Sequence, residues 1–298
     1  MIKEDRMRHI KYSDVALLLA IMLSSCGLAG FAAAQQPPIP LSTKPLKGGV
    51  YWVEGGAGAN TAFIVGTDGV IVIDAKMTAD SAKEMLGEIA KVTSQPVTHV
   101  ILTHSDGDHV NGLAGFPKGL TIIAQENCKK EMEDSLGGPR PSPHDYLPTK
   151  TVADKESLTL HGVRIELLHF GPAHTNGDLV VYLPSQKMAF TGDLTQPLPY
   201  PIIHPEKNGS SEGWIHTTKM LLAMKVETYV PGHGELQTKA DLQKSLKDLE
   251  ERRTKIKELV AQGKSLDEIK IALGETGTPA PGPRSNFTEV VYKENSKH

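Results

Sequence analysis

The amino-acid sequence predicts an α/β fold, and three observations carry the prediction. Short β-rich runs alternate with amphipathic segments of helical length in both halves of the chain. Four polar turns follow predicted strands directly, which is where open α/β sheets place their functional sites. Of the 298 residues, 264 follow an N-terminal segment of 34, enough for one large domain with a substantial core.

The N-terminal segment is typical of an export signal. Residues 1–14 carry a net charge of +1, and the apolar run 15–23 that follows is shorter than the ~20 residues a membrane-spanning helix needs. Small residues at 32–34 fit a cleavage site, so we predict a signal peptide at 1–34 and a periplasmic or secreted protein. The alternative is a lipoprotein attached through Cys26, because residues 23–26 resemble a bacterial lipobox. Residues 35–47 are predicted to be an N-terminal linker.

The first half of the domain is predicted to start with three strands, at 49–54, 61–66 and 70–74, separated by glycine-rich turns. Thr78 is expected to cap a helix that runs to about residue 92, with Ala82, Met85 and Ile89 on one face. Strands at 98–103 and 120–124 follow, and a helix at 125–135 comes after the second of these.

The second half is predicted to open with a hairpin at 157–170 that turns at His161 and Gly162. Paired strands at 178–183 and 187–191 follow, and then helices at 212–224, 239–262 and 265–273. Gly274 is expected to end the last helix. The predicted domain therefore covers residues 48–274, and the Pro- and Gly-rich tail 275–298 is expected to be loose.

Composition excludes some functions. After the signal peptide the chain holds 28 basic and 32 acidic residues, a net charge of −4 without a basic tract, so we expect no nucleic-acid partner. We expect a small-molecule substrate and no stable membrane span in the mature chain, and the sequence does not predict the oligomeric state. Cys128 is the one cysteine after the signal peptide, which excludes an internal disulfide; a buried apolar role is predicted for it.

The most informative stretch is His-Ser-Asp-Gly-Asp-His at 104–109, directly after the apolar run 97–103. Core packing does not explain two imidazoles and two carboxylates on one short turn. Such a turn would crowd like charges unless a cation neutralised them. We therefore predict metal ligands at His104, Asp106, Asp108 and His109.

Three later turns carry the partners such a site would need. His174 lies in the stretch Gly-Pro-Ala-His-Thr-Asn-Gly-Asp at 171–178, Asp193 follows the predicted strand ending at 191, and His233 lies in Pro-Gly-His-Gly at 231–234. Each of these short motifs alone is weak evidence, because Gly-Asp and Gly-His pairs occur in any turn. The motif at 104–109 and the three later turns, in this order and each at the end of a predicted strand, together are a strong indication of a metal site.

This order resembles the metallo-β-lactamase superfamily, whose signature is His-x-His-x-Asp-His at the end of a strand. The resemblance covers roughly residues 48–236 and implies a four-layer αββα sandwich with two metal positions. The implied ligands are His104, Asp106 and His174 for the first metal, Asp108, His109 and His233 for the second, and Asp193 as the bridge. The resemblance also implies attack by a hydroxide held between two divalent ions, with Asp108 as a catalytic residue and no covalent enzyme intermediate.

Asp106 departs from the superfamily pattern, which has histidine there. With Asp106, the three carboxylates, two divalent ions and a hydroxide sum to a formal charge of zero, whereas a histidine at 106 would leave +1. Water bound at the site with Asp106 would therefore be less acidic. An oxygen ligand also favours iron or manganese over zinc, and the flavodiiron branch, which binds iron, has glutamate at this position. We expect two divalent ions, with zinc ahead of iron and manganese. The alternatives are retention of the second metal alone and complete loss of metal binding.

Two long loops, 136–150 and 196–211, are expected to overhang the metals. In the second loop, Tyr200 and His204 are predicted to bind substrate, and either could donate a proton to an oxyanion or a leaving group. A purely connecting role for both loops is the alternative.

The predicted function is an exported dinuclear metal-dependent hydrolase of a small ester, lactone, thioester or amide, including β-lactams. Two other functions remain open. One is an iron-dependent redox enzyme like the flavodiiron branch, although the chain is too short for an attached flavodoxin domain. The other is a protein that binds ligands at the metal site without turnover.

Overall fold

The computed structural model describes residues 39–139, 141–196, 201–275 and 285–296, all within one compact unit, Pro38–His298. The predicted signal peptide and Cys26 lie outside the described residues, so processing at either position stays a prediction. Within these ranges no helix combines the length and apolar character that crossing a membrane requires.

A seven-stranded sheet forms the first half of the domain, with its strands in chain order. Strands β1 to β4 are antiparallel, and β4 to β7 are parallel. Their bounds are β1 Ser42–Pro45, β2 Val50–Glu54, β3 Thr61–Val65, β4 Val70–Ile73, β5 Val97–Ile101, β6 Thr121–Gln125 and β7 Lys150–Val152. Because β4, β5 and β6 run in parallel, their carboxyl ends meet at one edge of the sheet.

A five-stranded sheet forms the second half, in the order β13-β11-β10-β9-β8. Its strands are β8 Lys155–Leu160, β9 Val163–Leu168, β10 Val180–Leu183, β11 Met188–Gly192 and β13 Thr228–Pro231. As predicted, the hairpin between β8 and β9 turns at His161 and Gly162. Both residues have positive φ. A separate two-stranded sheet pairs β12 (Ile202–Ile203) with β14 (Ser285–Asn286).

The α-helices of the described residues cover the outer faces, with one exception. The helices are α1 Ala79–Val92, α2 Gly107–Val110, α3 Glu126–Asp134, α4 Ser211–Ala223, α5 Lys239–Ala261, α6 Leu266–Ala272 and α7 Phe287–Asn295. The exception is the one-turn α2, which lies at the strand ends after β5. The predicted cap of α1 is confirmed, because the Thr78 side chain accepts a hydrogen bond from the Ser81 amide.

Three buried clusters define the layers. One lies between the two sheets and joins residues such as Trp52 and Ile101 of the first to Val181 and Phe190 of the second. A second packs the first sheet against α1 and α3, and the third packs the second sheet against α4, α5 and α7. Helices therefore flank two stacked sheets, which confirms the αββα sandwich. Cys128 lies buried in the second cluster, as predicted.

Two predictions about the ends of the domain are wrong. The expected linker contains the edge strand β1, which is too short and too polar to show an alternating pattern. The expected loose tail contains α7, whose Phe287, Val290 and Val291 are buried against the second sheet's helices. Asn286 forms a capping box with Glu289, so the sequence did carry a helix signal after its Pro- and Gly-rich run.

Candidate metal centre

The four polar turns converge at the carboxyl ends of the strands. His104 and Asp106 follow β5, and Asp106 is the residue before α2, which carries Asp108 and His109. His174 lies in the turn that leads to β10. Asp193 comes directly after β11, and His233 lies two residues after the end of β13, the parallel neighbour of β11. The structure therefore brings all seven predicted ligands to one edge of the sandwich.

Gly192 allows β11 to approach the turn after β5. Its φ is +50°, and a Cβ atom at this position would lie 2.5 Å from Thr103 Oγ1 and 3.3 Å from His104 Nδ1. A side chain would displace the residues on which the cluster is built.

Asp108, His109 and His233 form one group of potential ligands. Asp108 Oδ2 lies 3.0 Å from His233 Nε2 and 3.9 Å from His109 Nε2. Asp193 Oδ1 lies 3.1 Å from His109 Nε2 and 3.6 Å from His233 Nε2. This group corresponds to the second predicted metal position.

His104, Asp106 and His174 lie together at the first predicted position. Asp106 Oδ2 is 3.4 Å from His174 Nε2 and 3.9 Å from His104 Nε2. The second oxygen of Asp193, Oδ2, lies 3.8 Å from His174 Nε2. Asp193 thus turns one oxygen towards each group, which is the arrangement a bridging ligand requires.

Unpartnered buried atoms test whether a metal fits here. His104 Nε2, His109 Nε2 and Asp193 Oδ1 are buried and none makes a well-aligned hydrogen bond, although His109 Nε2 and Asp193 Oδ1 lie 3.1 Å apart and the loss of hydrogen bonds on burial is costly. All three point into the cluster. Imidazole nitrogens and carboxylate oxygens together are the donors that divalent first-row metals take, so the residues present fit the group.

A sequence profile described as the metallo-beta-lactamase superfamily matches residues 55–233, more than half of the chain. The chain belongs to the metallo-beta-lactamase superfamily.

Curated relatives are distant. The chain is similar to a linear primary-alkylsulfatase of Pseudomonas sp. (23% identical over 214 residues, 56% of this chain and 40% of the relative). It is also similar to the alpha subunit of a 2,4-dinitroanisole O-demethylase of Nocardioides sp. (27% over 195 residues, 65% and 57%). A metallo-beta-lactamase type 2 of Bacillus cereus is 23% identical over 176 residues (56% and 64%). The chain therefore spans between 40% and 64% of the length of these relatives.

Solved structures show the same fold. A stereoselective inverting sec-alkylsulfatase from Pseudomonas sp. matches with a TM-score of 0.70 at 16% identity, covering 85% of this chain and 50% of the other. A metallo-beta-lactamase from Pontibacter korlensis matches with a TM-score of 0.59 at 21% identity, covering 71% and 99%.

The cluster of seven predicted ligands carries excess negative charge in this chain. Burial opposes protonation of His109 and His174, but neighbouring carboxylates outweigh it and raise the pKa of His109 well above its usual value and that of His174 to about 9. Burial also opposes ionisation of Asp108, yet the imidazoles of His233 and His109 hold its pKa at about 2. The negative charge that favours protonation of His109 and His174 favours a divalent cation in place of those protons.

The carboxylate at position 106 has a cationic partner that the sequence did not reveal. Lys207 Nζ lies 2.5 Å from Asp106 Oδ1 and 2.8 Å from Ser105 Oγ, and Ser105 also donates to Glu131. Lys207 lies in the second predicted substrate loop, about a hundred residues away in sequence, so no local pattern links it to Asp106.

Sequence reasoning also missed Asp74. This buried residue follows β4, and its carboxylate accepts hydrogen bonds from the Thr103 amide, the Thr103 hydroxyl and His109 Nδ1, each at 2.8 Å. Asp74 therefore fixes the imidazole of His109 so that Nε2 faces the metal position. An aspartate at the end of the strand next to the motif strand was the available signal.

The two predicted substrate-binding residues have different outcomes. Tyr200 lies outside the described residues, so its role stays a prediction. His204 is 5% exposed, and its Nε2 lies 3.0 Å from Asp106 Oδ2. It thus lies beside the first metal position and away from solvent.

The second metal position is the accessible one. The side chains of His233 and Asp108 are 37% and 18% exposed, whereas those of His104 and His174 are 1% exposed. A cavity of about 420 Å³ lies next to the cluster, and Gln196, which donates to Asp193 Oδ2, forms part of its wall. Further wall residues include Leu194, Trp214, Leu236 and Leu242.

Proposed function

We propose that this chain is a dinuclear metal-dependent hydrolase of a small ester, lactone, thioester or amide. The observation that carries the proposal is the carboxylate of Asp193, which turns Oδ1 towards His109 and His233 and Oδ2 towards His174. A buried carboxylate divided between two histidine groups suits a pair of cations better than a single one.

The relatives support hydrolysis at a polar bond of a small organic molecule. Their names refer to alkyl sulfates, to 2,4-dinitroanisole and to β-lactams, so the superfamily membership does not choose among these substrates. Sulfate esters therefore join carboxylic esters and β-lactams as candidate substrates.

His104, Asp106 and His174 would hold the first metal, and Asp108, His109 and His233 the second, with Asp193 between them. When bound, two such ions supply a water of lowered pKa and positive charge beside the oxygen or nitrogen that leaves. Asp108 stays ionised at neutral pH because its pKa is about 2, and it lies on the solvent side of the cluster. It is therefore suited to orient the attacking water, whereas so low a pKa makes it a weak proton acceptor.

The neighbouring cavity would accept a small substrate of mixed polarity. Its wall includes Trp214 and Leu242, which are almost fully buried, together with the charged side chains of Asp241, Lys244 and Asp248. A substrate bound there would reach the cluster beside Gln196, whose amide contacts Asp193.

The experiment combines metal analysis with Asp108→Asn. We expect about two divalent ions per chain in the purified protein, and activity on a panel of alkyl sulfates, aryl esters, lactones and a chromogenic β-lactam. Asp108→Asn should lower kcat by roughly 100-fold or more, since it removes the carboxylate that would hold the second metal and orient the attacking water. Asp134→Asn, the same change at an exposed residue paired with Lys130, is the matched control and should retain activity.

Three results would contradict the proposal in different ways. Full turnover by Asp108→Asn would exclude the proposed role of this carboxylate. Substrate binding without turnover by the metal-loaded protein would favour a binding function. Two iron ions with activity only in redox assays would favour the iron-dependent alternative.

A further inference from the structure

His204 lies where the first metal position lacks a histidine. Its Nε2 is 3.0 Å from Asp106 Oδ2, and His204, Asp106 and His174 form a group whose donor atoms all lie within 4.8 Å of one another. We propose that His204 is a protein ligand of the first metal and supplies the imidazole that position 106 does not. This inference rests on the proposed metal centre and concerns a residue predicted above to bind substrate.

The spacing of the donor atoms supports one shared ion. Ligand atoms about 2.0–2.1 Å from a tetrahedral metal lie roughly 3.3 Å from one another. Asp106 Oδ2 lies 3.0 Å from His204 Nε2, 3.4 Å from His174 Nε2 and 3.9 Å from His104 Nε2. The distances from Asp106 Oδ2 to His204 and His174 are close to those of a single coordination sphere, and the donor atoms of these three residues form one group, whereas His104 forms a group with His174 and Asp193.

The imidazole of His204 is oriented as a ligand would be. Its Nδ1 lies 2.6 Å from a carboxylate oxygen of Glu206, which leaves the lone pair on Nε2 when Nδ1 carries the proton. Nε2 is buried and has no partner in hydrogen-bonding geometry. His174 follows the same pattern, with Nδ1 2.8 Å from the Ile202 carbonyl oxygen and its ring edge-on to that of His204.

Burial separates this role from proton donation to substrate. The His204 side chain is 7% exposed, and its Nε2 faces Asp106. A residue that donates a proton to a leaving group must reach the accessible side, where Asp108 and His233 lie. The geometry therefore favours coordination.

Lys207, which lies in the same segment as His204, makes a second contact to Asp106. Its ammonium contacts Asp106 Oδ1, so Oδ2 is the oxygen left for a metal. The ammonium of Lys207 offsets the charge of the Asp106 carboxylate itself, while Glu206 from the same segment orients His204. Residues 204–207 thus supply an imidazole beside the first metal position and a cationic partner for the carboxylate at 106.

The test measures metal binding by the apo protein, without reference to activity. Zinc and cobalt are titrated into wild type, His204→Ala and His216→Ala in competition with a chromophoric chelator. His216 is an exposed histidine of α4 and provides the matched control. We expect two ions in wild type and in His216→Ala. His204→Ala should bind the first-position ion more than about 100-fold more weakly, with altered cobalt d–d absorption.

A second variant keeps the test decisive if His204→Ala does not fold. Glu206→Gln removes the carboxylate that orients His204 and should weaken the same ion by about 10- to 100-fold. Two ions bound with wild-type affinity by folded His204→Ala, or by Glu206→Gln where His204→Ala does not fold, would overturn this inference and leave the metal centre intact. Failure of wild type to bind metal would instead overturn the proposed function.

Discussion

Asp74→Asn tests how the protein prepares His109 for a metal. The substitution keeps the volume of the side chain, but an amide cannot accept hydrogen bonds on both of its polar atoms. Asp74 accepts from the Thr103 amide on Oδ1, and from the Thr103 hydroxyl and His109 Nδ1 on Oδ2. An asparagine that keeps the Thr103 amide bond turns its NH2 group towards His109. Nδ1 must then act as acceptor, and the proton moves to Nε2, the atom that faces Asp193.

The expected loss of metal affinity follows from this change of tautomer. Removing the partner that orients a metal-binding histidine weakens metal binding by about 10- to 100-fold, which corresponds to about 1.4–2.7 kcal/mol. The effect should be larger at the second position, because Asp74 contacts His109 directly and reaches His104 of the first position only through the Thr103 hydroxyl, which lies 3.1 Å from His104 Nδ1. Chelator competition with zinc should therefore reveal one weakened ion and one that is less affected.

The control is Asp145→Asn, the same chemical change at an exposed carboxylate paired with Lys118. It should leave both affinities unchanged. Unchanged affinity for both ions in Asp74→Asn would refute the argument that Asp74 determines the protonation of His109. Equal weakening of both ions would show that Asp74 acts through the fold rather than through this imidazole.

Two predictions concern stability, both measured by urea unfolding of the apo protein. Phe287→Ala should lower the free energy of unfolding by about 3–5 kcal/mol because Phe287 is fully buried in α7; a loss below 1 kcal/mol would contradict docking of this helix. Burial raises the pKa of Glu131 to about 7, so between about pH 4.5 and 7 the folded chain holds a proton that the unfolded chain releases. Stability from this group therefore falls as pH rises through that window, by at most about 3 kcal/mol, and Glu131→Gln should remove the fall. Equal pH dependence in wild type and variant would exclude this role.

Local patterns explain which parts of the fold the sequence could predict. Strands β2 to β6 and β8 to β11 and the helices α1, α4 and α5 carry clear periodicity or caps, and their observed bounds lie within one or two residues of the predicted ones, whereas no bounds were predicted for β7 and β13. Edge strand β1 lacks such a signal because pairing with β2, rather than its own composition, makes it a strand. Helix α7 had a signal, but the preceding Pro- and Gly-rich run masked it.

In the candidate site, too, the residues that could be predicted have a local sequence motif and the others do not. The seven predicted ligands lie in short turns with recognisable local sequence, and the structure brings these seven together. Asp74, Lys207 and Glu206 have no such motif, since their roles depend on which strands and loops become neighbours. His204 was singled out for its loop, yet only the tertiary structure reveals that Asp106 and His174 surround it.

The last described residues of the chain bear on how the first metal position is assembled. Strand β12, which lies next to His204, pairs with β14, and the Ile202 carbonyl oxygen is the acceptor for His174. The segment that carries His204 is therefore held from two sides, by the pairing of β12 with β14 and by the hydrogen bond to His174. A substitution that separates β14 from β12 would reach the first metal position from outside the turns that carry its ligands.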